Sequence, residues 1–323
     1  MILGQETDPT LRKSYQYLRV SMIGLVLCLG VAVVHQSVRQ GSILSSISAY
    51  YYTPAQTIFV GALIAIGVCL IAIKGADRED ALLNIAGMLA PVVAVVPTAR
   101  GADYAAAVAA CKESDGASTA DQALTAVDCP TVRALEDAAA ANIENNMVAL
   151  LVVGLVGLAA AAVFARWERF PAARFWPGFL IALAVFVLAA TVFFLYRDTF
   201  INWAHYAAAI PMFACIVLVV GINALRRQDE QLSGRYGPDP SVNKVLRGLF
   251  PSRDGYAVVA LAMLVAVVLG GALAWAGTFE DAIFWLEASL ILLFAAFWAI
   301  QTTEQWQRAH PPREASVATM DPR

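Results

Sequence analysis

The chain has 323 residues, of which 59% are hydrophobic and only 15% charged, whereas soluble domains average about 45 to 50% and about 25%. That much apolar surface excludes a water-soluble fold, and a net charge of -3 gives no overall basic signal for nucleic acid. Five cysteines without a CxxC pair or a Cys/His cluster exclude the obvious zinc and redox motifs. No cofactor is predicted.

The length is therefore read in spans of roughly 20 residues rather than in soluble domains. Arg12 and Lys13 precede an apolar run from Tyr17 to His35. Basic residues ahead of a hydrophobic stretch also describe a cleavable signal. No Ala-x-Ala-like site closes this run, so it reads as a retained first span with its amino end in the cytoplasm.

Gly41 to Pro54, Gly-Ser-Ile-Leu-Ser-Ser-Ile-Ser-Ala-Tyr-Tyr-Tyr-Thr-Pro, concentrates hydroxyls and phenols between two apolar segments. It is the first place to expect a binding surface at a membrane edge. Further apolar runs follow at Pro54 to Ile73, Ala81 to Pro97, Asn146 to Ala165, Gly178 to Tyr196, Ile201 to Leu225, Tyr256 to Ala276 and Ala282 to Ile300, which makes eight spans in all. The predicted fold is all-α: a polytopic transmembrane bundle over residues 17–300, after a cytoplasmic segment 1–16 and before a disordered cytoplasmic tail 301–323. The second and third spans have the shortest apolar cores. Pro54 is suited to a helix start, where its missing N–H costs nothing. Pro211 predicts a kink or a local break in the sixth span, because it removes a backbone hydrogen bond and crowds the preceding turn.

Charge in the connections supports that count. With the amino terminus inside, 17 of the 22 Lys and Arg residues fall on inner segments, and Arg39, Arg100, Lys112, Arg133 and Arg197 are the five on outer ones. This bias is the positive-inside pattern. It predicts cytoplasmic termini and, with Arg19 at the edge of the first run counted on the inner segment, leaves no Lys or Arg inside a span.

The outer loop 98–145 holds Cys111 and Cys129, which can pair if it faces an oxidising compartment. Asp128-Cys-Pro-Thr reads as the capped start of a helix, either a small lid over the outer face or part of a soluble spacer. On the inner loop 226–255, Val242, Val245, Leu246, Leu249 and Phe250 recur at helical spacing opposite Lys244 and Arg247. They describe an amphipathic helix, lying on the inner leaflet or packed beneath the bundle. Cys28, Cys69 and Cys215 sit within spans as small packing residues.

Ionisable groups within spans are functional candidates by default. Asp198, Asn202 and His205 share one helical stripe, as do Glu280, Phe284 and Glu287. With Glu144, Ser45, Ser46, Ser48 and the triplet Tyr50, Tyr51 and Tyr52, they outline a polar pocket at the outer end. A desolvated Glu287 could act as an acid or base, and Asp198 could orient His205 as a general base. The competing reading has Glu287 and His205 satisfied by helix contacts. His35 and His205 with an acid could ligate a metal, but no HExxH fixes that geometry. Ser48 lacks the G-x-S-x-G elbow of a serine nucleophile, and the tyrosines also fit an interfacial aromatic belt.

Ser46-Ile-Ser-Ala-Tyr-Tyr-Tyr-Thr-Pro54, Phe59-Val-Gly-Ala-Leu, Val96-Pro-Thr and His205-Tyr-Ala-Ala together resemble a group of uncharacterised multi-pass membrane proteins of actinobacteria and related microbes. The resemblance implies a bacterial plasma membrane. A superficial likeness to membrane ceramidase-type hydrolases fails on the missing paired histidines. Three functions remain open: an accessory, sensory or lipid-interacting protein; an enzyme acting on a lipid or lipid-linked substrate; and a proton-coupled transporter. The expected partners are the lipid bilayer and a lipid or lipid-linked ligand.

Overall fold

The computed structural model describes residues 9–75, 77–97, 130–167, 172–236, 255–277 and 281–309. They form eight α-helices and one short 3-10 turn, and there is no strand among the described residues. The helices are α1 (Pro9–Gln40), α2 (Gln56–Ala72), α3 (Asp77–Val95), α4 (Pro130–Trp167), α5 (Ala172–Leu195), α6 (Arg197–Tyr236), α7 (Gly255–Ala276) and α8 (Ala282–Ala309), with the 3-10 turn at Ser48–Tyr52.

Six helices, all but α2 and α3, contain stretches long and apolar enough to cross a bilayer. The protein is thus a multi-pass integral membrane protein. The two shortest predicted spans correspond to α2, with 17 residues, and α3, whose first turn is the charged run Asp77-Arg-Glu-Asp80. These two helices pack along each other.

Several boundaries differ from those predicted, each for a local reason. The helix start predicted after Asp128 is the beginning of α4 itself, because an Ala-rich segment joins the apolar run without a Gly or Pro to interrupt it. α4 therefore runs for 38 residues, of which 140–167 form the candidate span. α6 runs unbroken through Pro211 for 40 residues, so the local break does not occur. α8 passes Ile300 and reaches Ala309, where Gln301, Glu304, Gln305, Gln307, Arg308 and Ala309 are good helix formers and outnumber Thr302, Thr303 and Trp306. The predicted inner-loop helix around Val242 to Phe250 and the tail 310–323 lie outside the described residues. Gly41 (φ 74°) and Gly277 (φ 62°) end α1 and α7 in the left-handed conformation that favours glycine at a helix terminus.

The chain divides into two compact units, Cys28–Cys215 and the segments Met1–Leu27 with Ile216–Arg323. In the first unit, Ala94 to Val96, Ile143, Met147, Phe193, Phe200 and Ala204 bury a shared core between α3, α4, α5 and α6. In the second, α7 packs along α8, with Tyr256 edge-on to Phe297 at 5.8 Å. Only 6% of the apolar stretch of α4 and of α5, and 11% of that of α7, is buried. Helices apolar around most of their circumference and left exposed suit a hydrocarbon solvent, not water.

The α2–α3 contact is made by backbone approach. A Cβ on Gly67 would meet the Gly87 carbonyl oxygen at 2.7 Å, and one on Gly87 would meet the Gly67 oxygen at 2.6 Å. Helices in lipid associate through such small-residue contacts. Gly87→Ala should therefore lower stability by about 1 to 3 kcal/mol, whereas Gly61→Ala, with nothing within 4 Å, should be neutral. Thermal unfolding in detergent compares the two.

Candidate functional site

The hydroxyl-rich segment after α1 turns inward. Ser37 donates to the Val33 carbonyl at 2.8 Å, and a hydroxyl has one proton to give. The Tyr50 phenol therefore donates to Ser37 and accepts the Leu44 N–H at 3.3 Å. Ser46 accepts the Ala49 N–H at 3.1 Å and shares a 3.0 Å hydrogen bond with Ser48. Thr53 donates to the Tyr50 carbonyl at 2.8 Å and accepts the Ala55 N–H at 3.2 Å, leading the chain into α2. Tyr50, Tyr51, Ser46 and Ser48 are all buried. Burial pushes the Tyr51 phenol pKa up, against a weaker opposing hydrogen bond with Gln56. Its neutral form therefore persists beyond the ordinary tyrosine range. Tyr52 is half-buried and Ser45 exposed.

His205 is 3% exposed, and its Nδ1 lies 2.6 Å from the Val96 carbonyl oxygen. A carbonyl only accepts, so the ring carries its proton on Nδ1. The bond joins α6 to the end of α3. Asp198 and Asn202, on the same predicted stripe, are exposed. Glu144 of α4 accepts from Arg197 of α6 at 2.6 Å, with both side chains about half exposed. His35 is exposed at the end of α1. These residues belong to the first unit, whereas Glu287 lies in the second, half-buried on α8 and engaged in an interaction of its own. No group of three His, Cys, Asp or Glu side chains able to hold a metal occurs among the described residues. Cys111 and Cys129 lie outside the described residues, while Cys28, Cys69 and Cys215 are free thiols.

The second unit holds a polar network that spans and motifs did not reveal. Arg19 is only 6% exposed on the apolar stretch Lys13–Gln40, which corrects the expectation that no basic residue enters a span. Protein groups replace its water. Its guanidinium donates to Gln305 and sits 5.8 Å from the centre of the Trp298 ring, within the range of a cation–π contact. Arg227 of α6 donates to Glu304 at 3.0 Å and to Glu230 at 3.3 Å. The other oxygen of Glu304 accepts the Tyr256 hydroxyl of α7 at 3.1 Å. Nearby on α6, Asn223 donates to the Val219 carbonyl at 2.9 Å and accepts from Arg226.

α1, α6, α7 and α8 thus meet through charged and amide groups at the end predicted to be cytoplasmic. Buried charge is tolerated in membrane segments where such partners exist, and it marks candidate functional positions. Arg19 stands two residues into the first predicted span yet counts with the inner connection, and Gln301, Glu304 and Gln305 fall in the predicted tail. The available signal was spacing: Trp298, Gln301 and Gln305 stand at i, i+3 and i+7, one face of a continued helix.

The chain matches no protein-family model, no curated protein and no solved structure.

The Arg227–Glu304 pair is less than one-third exposed on either side, so removing one partner leaves a poorly solvated charge. Arg227→Gln and Glu304→Gln should each cost about 1 to 3 kcal/mol, and the double variant should lose less than their sum. Unfolding by denaturing detergent across the cycle checks this; strictly additive losses would show that the pair does not couple α6 to α8.

Proposed function

We propose that this integral membrane protein resides in the plasma membrane, where it plays an accessory, sensory or lipid-interacting role and carries out no reaction of its own. The observation that supports this reading is the burial of His205, only 3% exposed, where its ring is tied to the Val96 carbonyl at 2.6 Å. That bond leaves Nε2 as the basic nitrogen, and a general base has to meet its substrate's proton, whereas this ring is packed between two helices. The serines and Tyr50 are likewise engaged in local hydrogen bonds. The exposed apolar faces of α4, α5 and α7 suit contact with the bilayer.

An enzyme acting on a lipid would need a reactive side chain held ready beside a substrate path. A proton-coupled transporter of the broken-helix kind would need an interrupted span, and the continuity of α6 through Pro211 speaks against that version.

Two substitutions separate tying from catalysis. His205→Asn keeps an amide N–H near the position of Nδ1, whereas His205→Ala leaves the Val96 carbonyl without its donor. The Asn variant should complement a deletion strain as the wild type does and melt close to it. The Ala variant should lose about 1 to 3 kcal/mol. A fully folded Asn variant that fails to complement would overturn the non-catalytic reading.

A further inference from the structure

Two polar atoms on α8 are buried without a hydrogen-bond partner among the described residues: the indole Nε1 of Trp298 and the side-chain oxygen of Gln301. Trp298 is only 1% exposed. Its ring is held edge-on by Phe297 at 5.0 Å and by Phe294 at 6.1 Å, while Arg19 occupies its π face. The N–H lies in the ring plane and so remains available while the face is covered. Gln301 follows at i+3, on the same side of the helix.

The chemistry of the two atoms differs in sign. Indole nitrogen only donates, and an amide oxygen only accepts. An anion would answer the first and leave the second unmet, and a cation would do the reverse. A hydroxyl oxygen answers both, since it accepts one hydrogen bond and donates another. We infer that the second unit holds a hydroxyl-binding site between Trp298 Nε1 and Gln301 Oε1, occupied by a water molecule. A buried water is stable where two to four polar groups surround it, and Arg19 and Gln305 flank these two. The site brings water into contact with the polar network that joins α1 to α8, and it gives the Arg19 charge a polarisable neighbour within an otherwise apolar stretch.

Hydroxyl-radical footprinting by a short X-ray pulse tests the assignment, because a bound water generates radicals beside a side chain that bulk solvent does not reach. The full-length protein is irradiated in detergent in 18O-labelled water, with the exposed Trp306 (58%) as the internal reference. Trp298 should take up label at doses that label Trp306. Gln301→Leu, which removes the acceptor, should abolish that labelling, and Gln301→Glu, which keeps an acceptor, should retain it; circular dichroism confirms that both fold. Absence of label on Trp298 in the wild type would overturn the site, and so would labelling that persists undiminished in Gln301→Leu. A lipid hydroxyl is the other source of the same chemistry. Protection of Trp298 in nanodiscs of phosphatidylglycerol but not of phosphatidylcholine would overturn water as the occupant, whereas equal labelling in both supports it.

Discussion

In hydrocarbon a polar group has no bulk solvent to fall back on, so a donor, acceptor or charge buried with these helices needs a partner in the protein or a trapped water. That constraint bears on which helices pair. Lipid tails are as apolar as leucine, and apolar burial gives helices little reason to choose one neighbour over another. Specific pairing comes instead from hydrogen bonds and from close backbone approach.

The two compact units answer the constraint differently. In the unit built on Cys28–Cys215, the buried joints are neutral: a hydroxyl pair between Ser37 and Tyr50, an imidazole on a backbone carbonyl, and two glycines in contact across α2 and α3, while the Glu144–Arg197 ion pair between α4 and α6 is about half exposed. Such bonds have one satisfied arrangement and little tendency to respond to charge. The other unit uses charge. Arg19, Arg227 and Glu304 reach their partners across four helices.

The same contrast bears on function. Residue types that suggest catalysis in a list, such as serine, histidine and aspartate, acquire that meaning only through their partners. Ser48 bonded to Ser46 and His205 bonded to Val96 act as ties. Arg19 drew no attention as one basic residue near a helix start, and it becomes the unusual group because of where its side chain is buried.

Composition and periodicity by themselves determined that the chain is helical and lives in a membrane, and they located all six long apolar helices, because the length of a hydrocarbon crossing is written directly as a run of apolar residues. Pattern also marked Ala282, the residue where α8 begins, whereas the end of α1 at Gln40 and Gly41 lies beyond the predicted limit at His35. The continuity of α4 and α6 and the extension of α8 needed the structure, because a helix can carry polar residues past a bilayer edge that hydropathy treats as its end. Only the tertiary arrangement decided which polar side chains meet. Arg19 and Gln305 are separated by 286 positions, and nothing local in either segment encodes a partner that far along the chain.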